Sequence, residues 1–323
     1  DRDAVLSYRV EAGVLLVAGD PVGHPDALPG LARRAADLAA RHDLALGVMA
    51  AGEDLRDIWA GVGLRAFYLG DEAVVLTEGF SLEGRAIRKV RQSVTRLERE
   101  GYSARLVRVR DLAASDLRAL DAFRADCRRG DPERGFSMAL GCIEDPGGLP
   151  SWLVLMDGPD GALSGLMHFV AGDHGCTQSL CMQLRDPATP NGLMEYMVVS
   201  AVLGLREHGV DQVSLNFVTG GRYFREQDTL MQRVANRSWC VADRWFQIKR
   251  LEKFTEKFFP RWDPRYLMYP SMVSLLRVGL SAMWAEGQIP RPFDVIRRSP
   301  TPLRPDPAPE HAEGALTQGP GGP

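Results

Sequence analysis

Three of the chain's four lysines, Lys249, Lys253 and Lys257, stand four residues apart in the phrase DRWFQIKRLEKFTEKFFPRWDPRYLMY, while thirty-five arginines are spread over the whole sequence. A four-residue step stacks side chains on one side of a helix. The same step reaches Arg261 and Arg265 beyond Pro260, so the pattern predicts a cationic line that runs from a helix into the loop after it. Such a line suits a polyanion. Trp245, Ile248, Leu251, Phe254 and Phe258 recur at core spacing on the alternate face, which would anchor the element and leave its basic side free. The same letters also fit an ordinary salt-laced surface helix, with Glu252 and Glu256 pairing with the lysines.

Other residue types narrow the chemistry. The five cysteines, Cys127, Cys142, Cys176, Cys181 and Cys240, are odd in number, form no C-x-x-C pair and have no clustered histidines beside them. Neither a disulfide framework nor a zinc site is indicated, and a reducing compartment is expected. Cys181 could be a nucleophile, but no histidine is fixed beside it by motif and His174 is only loosely near, so it reads as an inert buried thiol. His168 in LMHFV fits either a general base or a hydrogen-bonded strand histidine. No P-loop, dinucleotide fingerprint or Arg/Gln-x-x-Gly-x-Gly/Ala pyrophosphate turn appears in the globular portion, so no cofactor is expected and acetyl-CoA chemistry is disfavoured.

The elements that must position these residues follow from period and punctuation. With 323 residues, 45 % hydrophobic and 25 % charged, the chain fits two globular domains, and a net charge of −3 excludes a globally basic coat. No window reaches the roughly 18 apolar residues of a membrane span, and the longest candidate, Leu193 to Leu205, is interrupted by Glu195, Tyr196 and Ser200. The chain opens at Asp1 and enters strand-like sequence almost at once, as expected of a piece cut from something longer, with upstream membrane segments left open.

Two short strands around a turn at Glu11 to Gly13 are predicted first, then a helix over about 28–42, the buried strand LALGVMA, a short helix near 53–60, and two strands, AFYLG and EAVVLT. A helix over Arg85 to Glu100, loaded with Arg85, Arg88, Lys89, Arg91, Arg96 and Arg99, bridges to a second half that repeats the logic at larger size. There, ARLVRV, a helix over about 113–129, and strands at SWLVLMD, Leu163 to Val170 and Thr177 to Leu184 precede a helix opened by Asn191-Gly192 and running to His208. The strand QVSLNF, a long helix over about 229–259 and an amphipathic helix over about 271–286 complete it. Boundaries are set at 1–110 and 111–296, with a Pro/Gly-rich, disordered tail at 297–323.

Several phrases together, SLEGRAIRKVRQSVTRLEREGY, RGFSM, PNGLMEYMVV, SLNF and RWFQIKRLEKFTEKFFPRWDPRYLMY, resemble the C-terminal cytosolic domain of the bacterial aminoacyl-phosphatidylglycerol synthases, the lysyl-phosphatidylglycerol synthase or multiple peptide resistance factor family. The similarity runs over about residues 3–296 in the family's order. It implies an α/β (α+β) protein of tandem GNAT-type acyltransferase folds, mixed sheets flanked by helices. It also implies transfer of an amino acid from aminoacyl-tRNA to the glycerol hydroxyl of an anionic phospholipid such as phosphatidylglycerol. The implied place is the cytoplasmic face of the bacterial membrane, with a transmembrane flippase domain upstream.

An aminoacyl ester is already activated, so positioning can do most of the catalysis. The site needs an acid or amide for the ammonium group, oxyanion donors, a proton acceptor and cations for phosphates. Glu195 is the candidate acid, stabilised at a helix start, and helix capping is its structural alternative. Asn216 alternates with Ser214 on QVSLNF, which puts both polar groups on one side of a strand; a structural hydrogen bond is the rival account. Arg185, with Asp186, could grip a phosphate or form a turn ion pair. Ser137, Asn191, Arg222, Lys249, Lys253, Lys257, Arg265 and Tyr266 are the remaining substrate-binding candidates, and Trp239, Trp245, Phe246, Trp262, Tyr266 and Tyr269 could stack adenine or pack the core.

In one place the sequence departs from the family, which commonly carries an Asp-Leu-Met-Arg-like run before the PNG phrase. Counting back from Asn191 puts Cys181 and Leu184 at the acid and arginine positions. Arg185 and Asp186 could substitute only through a shifted register, and a one-residue slip turns a strand side chain to the opposite face. Two alternatives therefore stand beside lipid aminoacylation: a tRNA-dependent transferase with a small soluble amine or hydroxyl acceptor, and a catalytically silent module that binds tRNA or membrane.

Overall fold

Apolar runs bounded by turn residues become the strands of one mixed sheet. The structure, a computed structural model, describes residues 3–128, 143, 150–172, 175–219, 250–287 and 289. In chain order the elements are β1 (Ala4–Val5), β2 (Tyr8–Glu11), β3 (Val14–Ala18), β4 (Val22–Gly23), α1 (Leu28–Arg41), β5 (Ala45–Gly52), α2 (Arg56–Ala60), β6 (Arg65–Leu76) and α3 (Arg88–Arg99). They continue with β7 (Ser103–Arg108), α4 (Ala114–Arg128), β8 (Trp152–Asp157), β9 (Leu163–Gly172), β10 (Thr177–Arg185), α5 (Leu193–Glu207), β11 (Gln212–Thr219), β12 (Arg261–Tyr269) and α6 (Met272–Ala285). Ten strands lie in the order β2-β3-β5-β12-β6-β11-β10-β9-β8-β7, and β1 pairs with β4 apart from them. The mixed α/β sheet flanked by helices is the fold class that the family resemblance implies.

The helices form because their apolar residues recur on one side. Ala32, Ala35 and Ala39 of α1 are buried with Trp59 of α2 against Leu15, Val17 and Val48. In α3 only Val90, Val94 and Leu97 are buried, at steps of four and three, which leaves its arginines outside. Val90, Val94 and Leu97 pack with α5 over Ala73, Val75, Met167 and Phe169. These four helices share one face of the sheet. On the other face α6 covers Val14, Leu16, Leu267 and Tyr269, and α4 covers Leu153, Leu155 and Leu166.

Two expectations are corrected by the sheet. AFYLG and EAVVLT are not two strands: β6 is one twelve-residue strand, held through Gly70-Asp71 by β12 on one side and β11 on the other. The stretch after Pro260 is not a loop but strand β12, inserted between β5 and β6. Pro264, which has no N–H to give, sits opposite Asp71 of β6, and pairing with β5 starts only at Arg265. The proline thus occupies the part of the strand whose second side carries no ladder. Of the long helix expected over 229–259, the described part is helical at 250–255 and closes in a 3-10 turn at Glu256–Phe258, before Pro260. The tail at 297–323 lies outside the described residues.

His168 resolves as a buried strand residue. It is fully inaccessible, and its Nε2 lies 2.5 Å from Ser151 Oγ. Burial, reinforced by the positive charge of Arg124, lowers its pKa to about 4. Because the unfolded chain binds this proton near the ordinary histidine pKa, stability contributed here is fully present above about pH 6.5 and is lost as pH falls toward 4. Chemical denaturation between pH 7 and pH 4 should show a loss on the order of 3 kcal/mol from this group, and His168→Gln should flatten that slope.

Candidate functional site

Strands β10 and β11 run parallel and pair at three positions only, Thr177 with Gln212, Gln178 with Val213 and Ser179 with Ser214. Beyond these, β10 stays on β9 as far as Arg185 and β11 stays on β6 as far as Thr219. The two strands therefore part toward their C-terminal ends and leave a wedge in the sheet. Among the described residues, backbone groups along both walls of the wedge have no ladder partner across it, and such groups can serve a ligand. The crossover helix between them, α5, starts beside this mouth with its N-terminal amides and positive dipole end.

Both walls carry a bulge. On β10 the register shifts between Leu180, opposite Phe169, and Met182, opposite His168, leaving Cys181 as the extra residue. The bulge supplies the one-residue slip that a regular strand would lack. After it, Arg185 pairs with Gly165, and a side chain on Gly165 would point at Met197 Sδ (2.8 Å) and Leu193 Cδ2 (3.2 Å) of α5. Arg185 thus shares the α5 face, whereas Leu184 packs against the α4 cluster on the other. Arg185 makes no side-chain ion pair or hydrogen bond among the described residues. Asp186 does not pair with it. Its carboxylate accepts from Ala188 N at 2.8 Å and its carbonyl from Thr189, so it shapes the turn that follows β10.

On β11 the register shifts between Ser214, opposite Val74, and Phe217, opposite Glu72. Asn216 sits in this bulge with φ 79°, a left-handed conformation that asparagine tolerates better than most residues. The simple alternation that put Ser214 and Asn216 on one side does not apply here. Instead, the Asn216 N–H donates to Ser214 Oγ at 3.2 Å, and Ser214 Oγ donates to Glu72. Glu72 in turn holds Arg265, whose Nε lies 2.8 Å away, and Arg265 reaches Asp20 at 2.5 Å. Asp20 accepts from Gly52 N at 2.9 Å. One polar chain therefore crosses β5, β12, β6 and β11 and ends on the Asn216 bulge.

Electrostatics bind this chain tightly. Burial alone would weaken the Arg265 charge, but Glu72 and Asp20 more than reverse this and raise its pKa above the ordinary arginine value. Asp20 is the softer partner: burial raises its pKa, and Arg265 with the Gly52 amide only partly restores it. Arg265 is thus an internal tie between strands, already neutralised by two carboxylates. Arg261 is likewise engaged, with Asp263 at 2.7 Å and Gln212 at 3.1 Å. The expected cationic line does not continue past Lys257.

Two sequence candidates are brought into contact. Lys257 Nζ lies 2.7 Å from Glu195 Oε1 in the first turn of α5 and 5.4 Å from the Phe254 ring centre. An ammonium is thereby seated on the Glu195 carboxylate, which is itself mostly buried (16 % exposed). Lys253 is exposed. Asn191 gives its carbonyl to Arg96 of α3, and Gly192 follows with φ 95°, its missing Cβ position 2.8 Å from Ser93 Cβ. Tyr266 lies on the α1 and α2 face, where its hydroxyl donates to Glu53, and burial raises its pKa. Trp262 packs against the core under α3 and α5, and Tyr269 is buried beneath α6. Ser137, Arg222, Lys249, Trp239, Trp245, Phe246, Cys142 and Cys240 lie outside the described residues.

Sequence reasoning missed Asp20, Glu72 and Gly52. Only Glu72 carried a signal, an acid inside an apolar strand. Among the described residues no cluster of three or more His, Cys, Asp or Glu is placed to hold a metal, and no helix is long and apolar enough to cross a membrane.

A family model described as phosphatidylglycerol lysyltransferase, C-terminal, matches residues 1–269. Among curated relatives, the lysylphosphatidylglycerol biosynthesis bifunctional protein LysX of Rhodococcus jostii is 36 % identical over 294 residues, covering 90 % of this chain and 26 % of its own length. Its counterpart in Nocardia farcinica is 37 % identical over 294 residues, with 89 % and 26 % covered. The chain therefore spans about a quarter of the length of the curated relatives it matches. Among solved structures, the C-terminal domain of a putative lysylphosphatidylglycerol synthetase from Agrobacterium fabrum superposes with TM-score 0.74 at 22 % identity, covering 89 % of this chain and 87 % of that one. The L-PGS structure from Bacillus licheniformis gives TM-score 0.72 at 19 % identity, covering 88 % and 86 %.

Two substitutions test the packing of the site. Arg265→Met strands two carboxylates and should lower unfolding free energy by about 3 kcal/mol, and adding Glu72→Gln should return part of it in a double-mutant cycle. Gly192→Ala combines a disfavoured φ with a clash on α3 and should cost about 2 kcal/mol by denaturant titration.

Proposed function

The chain belongs to the phosphatidylglycerol lysyltransferase C-terminal family, and on that premise we propose that it transfers an amino acid from aminoacyl-tRNA to the glycerol hydroxyl of phosphatidylglycerol or a related anionic lipid. The proposed place of action is the cytoplasmic face of the bacterial membrane. The two units, 1–110 and 111–296, are proposed on the same footing, with β12 of the second inserted into the strands of the first. The observation that carries the reading is the wedge between β10 and β11, with the Asn216 bulge on one wall and the first turn of α5 at its mouth. A reactive ester brought there would meet backbone amides that have no ladder partner across the wedge among the described residues, for its oxyanion, and Glu195 for its ammonium group.

Lys257 supports the Glu195 assignment chemically, since its Nζ stands for the kind of ammonium that an aminoacyl donor carries. On this reading the donor's ammonium group displaces Lys257, whose released charge is then free for a phosphate. Asn216 and Ser214 position the acceptor side of the wedge, and Arg185, on the α5 face, takes a phosphate of either substrate. Atoms balance simply: the acceptor oxygen forms the new ester bond, the tRNA ribose oxygen leaves, and the proton passes from the first to the second.

A second reading keeps the tRNA donor and replaces the lipid with a small amine or alcohol. It is favoured by the β10 wall, where the residues at the family's acid and arginine positions are Cys181 and Leu184. Incubation with charged tRNAs and phosphatidylglycerol decides between the two. Labelled aminoacyl lipid is the expected product, and Glu195→Gln should lower kcat/KM at least tenfold. Deacylation stimulated by a soluble acceptor with no lipid product selects the second reading, and tRNA binding without turnover rejects both.

A further inference from the structure

Helix α6 has an apolar composition on every side, with Arg277 the single charged residue in its fourteen. One side packs on the sheet through Leu275, Val278, Ala282 and Ala285. The other side is exposed: Met272 at 61 %, Val273 at 89 %, Leu276 at 77 % and Leu280 at 42 %. These four lie within nine residues at helical spacing, about 12 Å of helix, and nowhere else among the described residues do exposed large apolar side chains gather on one element in this number. A water-facing helix normally places polar residues there. The helix is also well anchored, with Ser271 capping its start and Arg277 Nε donating to Ala12 O at 3.0 Å. The exposed stripe is therefore presented on a fixed element.

We propose that this stripe on α6 docks the protein on an anionic bilayer, lying in the plane of the membrane with its apolar side among the acyl chains. Two observations select this occupant, since shallow insertion needs only an apolar side and cations beside it. No acidic residue lies on the helix, so nothing in it opposes a negative surface. The twenty residues after it carry four arginines, Arg291, Arg297, Arg298 and Arg304, against two acids, Glu286 and Asp294, and a net positive stretch is attracted to an anionic leaflet. The inference rests on the lipid acceptor reading only for its purpose, since an enzyme acting on a bilayer lipid gains from sitting at the surface.

Sedimentation with vesicles tests it without tRNA. The 323-residue chain is expected to bind vesicles containing phosphatidylglycerol and to bind phosphatidylcholine vesicles much less. Val273→Asp with Leu276→Asp should weaken binding at least tenfold, and Val22→Asp, at an exposed apolar site elsewhere (65 %), should not. Thermal unfolding and aminoacyl transfer to a short-chain, water-soluble phosphatidylglycerol check that the variants fold, and retained transfer with lost vesicle binding separates docking from catalysis. Equal vesicle binding by wild type and the double variant overturns the proposal. So does a wild-type dimer in sedimentation velocity that the double variant converts to monomer, because the stripe would then be a contact between copies.

Discussion

Everything at the candidate site depends on two parallel strands that share three residue pairs and then separate. A regular parallel sheet would close this gap with slanted hydrogen bonds and leave no room for a substrate. Here the closure is prevented on both sides: the bulge at Cys181 re-aims β10, and the left-handed Asn216 re-aims β11. Each strand keeps its outer neighbour, β9 or β6, so the wedge is braced from outside.

The cost of holding Asn216 in a left-handed conformation is offset by the chain of hydrogen bonds behind it. Ser214, Glu72, Arg265, Asp20 and the Gly52 amide link the bulge through strands five to seven positions apart in sequence order but adjacent in the sheet. In a partly buried setting such a chain is worth having only if every member is satisfied, and each carboxylate here has a cation or an amide. Its geometry also depends on where β12 lies. Arg265 reaches Glu72 of β6 on one side and, on the other, Asp20, which lies in the bend after β3 and is held by the Gly52 amide of β5, and β12 between β5 and β6 places it to do both.

Helix α5 contributes in a different way. Gly192 brings its first turn close to Ser93 of α3, where a Cβ would collide, and the contact fixes the direction in which Glu195 leaves the helix. Arg96 then secures the Asn191 carbonyl just before the turn. The arginine-rich side of α3 thus spends one guanidinium on positioning the site.

Much of this molecule is determined by the sequence itself. Periods of 3.6 and two, with the lengths of the apolar runs, place α1, α3, α5, α6 and most strands within a few residues. The Asn191-Gly192 helix start and the polar pair Ser214 and Asn216 are legible because glycine and buried polar groups have few physical explanations. Only tertiary structure decides the rest. WDPRYLMY reads as a loop after a proline, and becomes a central strand because two neighbours supply its hydrogen bonds. AFYLG and EAVVLT read as two strands, and flanking ladders on both sides fuse them. Arg265 reads as one step of a cationic stripe, and is instead an internal tie, since its partners Asp20 and Glu72 lie 245 and 193 residues away in the chain. Local spacing reports what a residue can do, but contact between distant strands settles which charges remain free, because a charge met at close range by its opposite is no longer available to a ligand.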